Sequence, residues 1–199
     1  MKSLEKQLKQ NAKITFSDMN KRGDYKVIDD YFPDWLVTNV SYYLKTFPVT
    51  YTNTPNKNTY KNARFMGNMI MIEDEWMVPI KPSWFIEYFN HFIYNDLLKE
   101  YDIKHCLRCL HNGQFPLEKM NGINHRDADD ENYVSVIYMG HGNSGDTVIV
   151  DENEDDVERI SFKEGRIVML NSFTKHRGEA PKEGYRVSWG FVYPLFTPI

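Results

Sequence analysis

Tyr133-Val134-Ser135-Val136-Ile137-Tyr138, a Gly/Asn/Ser-rich turn, and then Thr147-Val148-Ile149-Val150 is the stretch that decides the fold. Both runs are short and β-branched, and residues 140–146 between them are turn formers, so two strands joined by a tight connection are expected. The same punctuation continues on either side. Lys104–His111, Arg159–Phe162, Ile167–Leu170 and Tyr185–Tyr193 also read as short strands separated by Gly, Asn and Asp. Closely spaced strands of this kind predict an antiparallel double-sheet jelly roll, or double-stranded β-helix, over about residues 103–199.

Upstream the pattern changes to helix. Tyr25–Ile28 suits a short strand, Asp29 and Asp30 are placed to cap a helix, and that helix is expected over Pro33–Lys45, burying Trp35, Leu36, Val40, Tyr43 and Leu44. A second helix is expected over Pro82–Lys99, with Phe85, Ile86, Phe89, Phe92, Ile93 and Leu97 at the helical period and His91 as a structural residue. Ser3–Asn11 is helix-compatible. Thr50–Asn68, rich in Asn, Thr, Lys and Tyr, reads as a long polar loop that could close over a site. The fold class is therefore α+β, a jelly-roll core with N-terminal flanking helices. Residues 1–199 form one domain, with helical support over about 1–102.

With 24 basic and 28 acidic residues the formal charge is −4, which offers no general attraction for nucleic acid. Apolar runs such as Val187–Pro194 are too short to span a bilayer, and the charged N-terminus lacks a signal core, so a soluble, cytoplasmic protein is expected. Cys106 and Cys109 lie in a predicted strand, where residues three apart face opposite sides, and are read as buried thiols rather than a redox pair. The acidic run Asp151–Asp156 is read as a solvated hairpin tip, with a calcium loop as the weaker alternative.

The chemistry concentrates at Asn124-His125-Arg126-Asp127. In an extended segment His125 and Asp127 point to the same side, and His176 follows fifty-one residues after His125, where a jelly roll can bring it alongside. Two imidazoles and a carboxylate on one face suit Fe(II), because three adjacent coordination positions stay open. The plain alternative is that these are ordinary turn and surface residues. Arg186 argues against it: its fork can bind a carboxylate, as the far end of an iron-chelated 2-oxoglutarate requires, and Ser188 shares its face and can add a hydroxyl.

Over residues 103–195 the sequence resembles the 2-oxoglutarate and iron(II)-dependent oxygenases, especially small prolyl-hydroxylase-type members, including those carried by viruses. The resemblance rests on His125-Arg126-Asp127, the strand Val134–Met139, the turn Ser144-Gly145-Asp146-Thr147, the hairpin Phe162–Ile167, Thr174-Lys175-His176 and Tyr185-Arg186-Val187-Ser188. It implies Fe(II) held by His125, Asp127 and His176. It further implies 2-oxoglutarate bound by Arg186, Ser188 and Tyr138, O2 as oxidant, ascorbate as a reductant, and hydroxylation of a C–H bond with release of succinate and CO2. No protein acid or base is needed. By family likeness the substrate is a prolyl residue in a peptide or protein; a small molecule such as an amino acid, a nucleobase, or a cupin-like metalloprotein that is not an oxygenase are the alternatives. Arg126, Asn143 and Arg177, beside the motifs, are the candidate substrate contacts. The usual Gly at the first turn position is Ser144 here, and Asn112–Asn124 departs from the family pattern on the substrate side. Oligomeric state is not legible.

Overall fold

The computed structural model describes residues 24–46, 65–72, 75–76, 84–99, 103, 105–116 and 122–195. In chain order the elements are β1 (Tyr25–Ile28), α1 (Asp34–Thr46), β2 (Phe65–Ile72), β3 (Glu75–Trp76), α2 (Trp84–Phe92) continued by one π-helical turn (Ile93–Leu97), β4 (Arg108–Gln114), β5 (Tyr133–His141), β6 (Thr147–Val150), β7 (Asp156–Ile160), β8 (Ile167–Asn171), β9 (His176–Gly178) and β10 (Arg186–Pro194). The strands form two antiparallel sheets. One has the order β1-β8-β5-β10-β4-β2-β3, the other β7-β6-β9.

The strands β8, β5 and β10 of the large sheet are buried on both faces. Directly paired residues of neighbouring antiparallel strands share a face. Val134, Val136 and Tyr138 of β5 therefore join Val187, Trp189, Phe191 and Tyr193 of β10 on the outer face, packed on Leu36, Val40 and Leu44 of α1 and Ile86 and Phe89 of α2. On the inner face Met139, Val168 and Leu170 meet Ile149 and Ile160 of the small sheet. Leu44 seats closely over Gly140, where an added Cβ would lie 2.0 Å from its Cδ1. The α+β jelly roll expected from the strand pattern is the architecture observed, and among the described residues no helix is long and apolar enough to cross a membrane.

Several boundaries differ from the sequence reading. Asp29 and Asp30 do not cap α1, whose first amides instead bond to the Pro33 carbonyl. Asp29 receives a two-pronged contact from Arg166 (2.7 and 2.8 Å) and Asp30 binds Lys163 (2.9 Å), fastening the entry to α1 onto the β7–β8 turn. Trp35 points outward and is 56% exposed, because the sheet-facing stripe is Leu36-Val40-Leu44. The C-terminal end of the expected loop, from Phe65, is strand β2, while residues 50–64 and the Ser3–Asn11 segment lie outside the described residues. β4 begins four residues later than expected and ends three later, with Arg108, Asn112 and Gln114 on the inner face shared with Ser188 and Arg186 of β10. Cys106 thus precedes the strand; both cysteines are buried free thiols.

Candidate metal centre

His125 and His176 are joined by reciprocal backbone hydrogen bonds of 2.9 Å, an isolated antiparallel bridge that adds His125 to the edge of the small sheet. Paired residues share a face, so both rings project to the same side, with centroids 4.5 Å apart. Asp127, two residues along, is held by its own amide on the Ser172 carbonyl (3.0 Å). Its carboxylate lies 3.9 Å from His125 Nε2 and 3.6 Å from His176 Nε2. The ligand atoms of the three residues all lie within 4.8 Å of one another, the one such group among the described residues.

Local bonds set each donor atom. The Nδ1 atoms of His125 and His176 sit 2.9 Å from the carbonyls of Ile123 and Thr174, two residues upstream in each case. Nδ1 must therefore carry the proton, and Nε2 presents a lone pair to the centre of the triad. Burial, with the neighbouring His125, pushes the His176 pKa down to about 4, so the ring is neutral at physiological pH. Burial alone would raise the Asp127 pKa, but the two histidines when charged, Arg108 and the Ser135 hydroxyl outweigh it and bring it below the ordinary carboxylate value; with His176 neutral, Arg108 and Ser135 remain as partners of the carboxylate. Arg108 Nη2 binds Asp127 Oδ1 (3.0 Å) and the Asp127 carbonyl (3.2 Å), leaving Oδ2 turned to His176. Two imidazole Nε2 atoms and a fixed carboxylate oxygen fit a divalent transition metal such as iron(II).

The second half of the site is built around Arg186. This guanidinium is buried, 4% exposed, and burial lowers its pKa to about 10. Nη1 donates to Gln114 Oε1 (2.7 Å) and Nη2 to Thr147 Oγ1 (3.3 Å), while Nε has no partner among the described residues. The nearby acids Asp146 and Glu179 are paired with Arg159 and Arg177 instead, so among the described residues Arg186 is a buried cation without a carboxylate. It fits because residue 178 is glycine: a Cβ there would lie 2.5 Å from Arg186 Nη1. Gly178 pairs with Thr147 and follows His176 by two residues on the same face of β9, which places the guanidinium roughly 7 Å along the strand from the metal ligand. Ser188, buried, shares the inner face of β10.

No family model and no curated protein matches the sequence. Solved structures do match. A prolyl-4-hydroxylase from Pseudomonas putida superposes with a TM-score of 0.63 at 12% identity, over 95% of this chain and 99% of that one. A prolyl hydroxylase from Trichoplax adhaerens, in complex with a hypoxia inducible factor peptide fragment, gives 0.70 at 15% identity over 96% and 92%. HygX from Streptomyces hygroscopicus, with nickel and 2-oxoglutarate bound, gives 0.61 at 11% identity over 86% and 82%. The fold is that of the 2-oxoglutarate/iron(II) oxygenases.

Within this oxygenase fold four sequence expectations need correction. Tyr138 is on the outer face of β5, among Phe32, Phe89 and Trp189, and cannot reach the inner face that carries Arg186. Arg126 lies over the Phe173 ring and is committed to Glu152 (2.7 and 2.9 Å) and the Phe173 carbonyl (3.0 Å). Arg177 is buried in ion pairs with Asp156 and Glu179, pointing away from His176 on the same strand. Asn143 is exposed and bonds to Glu183 and Ser144 rather than lining the triad. Conversely, Arg108, which binds Asp127, and Gln114, Thr147 and Gly178, which border the Arg186 guanidinium, were not singled out by the sequence reading. Arg108, Asn112 and Gln114 fall on one face of a period-2 strand, a signal for Arg108 and Gln114 that Leu110 and His111 interrupt.

Proposed function

We propose that this protein is a 2-oxoglutarate- and iron(II)-dependent oxygenase that hydroxylates an unactivated C–H bond, with a prolyl residue of a peptide or protein as the substrate. The observation that carries the reading is the pairing of the His125-Asp127-His176 cluster with the buried Arg186 guanidinium, which lies against Gly178, two residues from His176 on the same face of β9, and has no carboxylate partner among the described residues. A buried cation without a counter-ion is costly unless an anion completes it. A short dicarboxylate with one end at the triad and the other on Arg186 meets that requirement.

In this reading His125, His176 and Asp127 Oδ2 hold iron(II), and Arg108 keeps Asp127 ionised and oriented. Arg186 takes the distal carboxylate of 2-oxoglutarate, steadied by Gln114 and Thr147, and Ser188 borders the same pocket. Ile149, paired with His176, supplies an apolar wall that keeps water from that side. Once bound, iron(II) and 2-oxoglutarate would supply the oxidising chemistry, in which one atom of O2 ends in succinate as CO2 is released and the other is inserted into the substrate C–H bond. The peptidyl-proline assignment is supported by fold likeness to two prolyl hydroxylases.

Anaerobic titration of the iron(II)-loaded protein with 2-oxoglutarate tests the cofactor reading. A weak visible charge-transfer band should appear, be lost in His176→Ala, and require far more 2-oxoglutarate in Arg186→Ala. Folded, iron-loaded protein that gives no band refutes it. Aerobic turnover with proline-containing peptides, free amino acids and oligonucleotides then tests the substrate by an added oxygen mass. Product from free amino acids alone would replace the peptide reading with a small-molecule one.

A further inference from the structure

The acidic run that reads as a solvated hairpin tip does more than cover the end of β6 and β7. Each residue that flanks a histidine of the triad is bound to it. On either side of His125, Asn124 donates to Glu154, and Arg126 binds Glu152 at 2.7 and 2.9 Å. On either side of His176, Lys175 binds Glu154, and Arg177 binds Asp156 at 2.7 and 2.9 Å. Glu154 thus spans both histidine segments, and Arg177 Nη1 adds a cross-link to Asn124 Oδ1 (3.3 Å). The hairpin is itself braced: Asp151 Oδ1 accepts from the amides of Asn153 (2.8 Å) and Asp155 (2.9 Å), and the Val150 amide bonds to the Lys175 carbonyl (3.0 Å). Glu154 has a φ of 73°, a left-handed conformation rarely adopted by a non-glycine residue.

We infer that the 151–156 hairpin is an outer clamp that fixes the separation of His125 and His176, with Glu154 as its main positioning residue. The need for one lies in the backbone. His125 belongs to no strand and is joined to β9 by a single bridge, and its side chain is half exposed, whereas His176 is buried within the small sheet. Alternate side chains of an extended segment point to opposite faces, so residues whose neighbours hold the metal can be gripped from behind without entering the site. The inference rests on the metal-binding reading above only for its effect on affinity; the hold on the bridge stands apart from it.

The test uses the full chain, the metal-free protein for hydrogen exchange and cobalt(II) as the metal probe, with Glu154→Gln and Lys175→Met as the variants. Loss of the clamp speeds exchange of the His125 and His176 amides and weakens cobalt binding about three- to tenfold in both variants. The sign for Lys175→Met is decisive, because removing a positive charge beside a cation site strengthens metal binding by charge alone. Unchanged amide exchange, with cobalt bound more weakly by Glu154→Gln but more tightly by Lys175→Met, would overturn the clamp and leave a charge effect. Faster exchange in variants of a protein that binds no cobalt even as wild type would keep the clamp and refute the metal reading.

Discussion

Gly178→Ala tests the carboxylate cradle with the smallest possible perturbation. The new methyl would lie 2.5 Å from Arg186 Nη1, about 1 Å inside ordinary contact, and 3.5 Å from Gln114 Oε1. The strand backbone accepts alanine readily, so the strain falls on the guanidinium, which must withdraw from the line it holds between Gln114 and Thr147. A charge-assisted hydrogen bond contributes about 1.5–3 kcal/mol. Losing one bond to the distal carboxylate therefore raises the Kd for 2-oxoglutarate roughly tenfold to a hundredfold. The triad is untouched, so cobalt(II) affinity stays within about twofold, and thermal stability changes by less than about 1 kcal/mol. Anaerobic charge-transfer titration gives the first quantity and cobalt absorbance the second. An unchanged Kd for 2-oxoglutarate, or an equal loss of cobalt affinity, would show that Arg186 does not receive the co-substrate as argued.

Three further outcomes follow from the same geometry. Arg108→Leu frees Asp127 Oδ1 and the carbonyl it shares, so cobalt(II) affinity should fall about tenfold or more even though a positive charge has been removed; tighter binding would reduce Arg108 to a charge. Tyr138→Phe deletes a buried hydroxyl that has no partner among the described residues, so the melting temperature should hold or rise and 2-oxoglutarate affinity should not move, whereas a tenfold loss would return Tyr138 to the site. His111 accepts from Trp189 Nε1 (3.1 Å), and burial lowers its pKa from 6.5 to about 4. The unfolded chain takes up that proton first, so the contribution to stability is complete above pH 6.5 and is lost as the pH falls toward 4. It amounts to as much as about 3 kcal/mol, and His111→Gln should flatten the dependence measured by urea unfolding.

The parts of the molecule legible in its sequence were those with a local signature. His125, Asp127 and His176 come together because the strands between them could be counted, and Arg186 stands ten residues past His176 on the strand expected to carry it. Tyr138 shows where such reading stops. In Val134-Ser135-Val136-Ile137-Tyr138-Met139 both faces are buried, so there is no polar alternation to say which side meets the helices, and a one-residue choice of face reverses every role. The flanking arginines failed for a different reason. Arg126 and Arg177 are set by partners at Glu152 and Asp156, a long-range pairing that proximity to a motif cannot reveal. Gln114 was hidden because a polar residue at the end of β4 looks like loop until the cation it serves is in view.

The final strand is the middle one. β10 lies between β5 and β4, so without it the large sheet falls into two separate halves, β1-β8-β5 and β4-β2-β3. Removing residues 184–195 would take out the keystone of the sheet together with Arg186. The order of synthesis has a matching effect. In a nascent chain neither the large sheet nor the Arg186 cradle can close until β10, which follows the other described strands, has emerged.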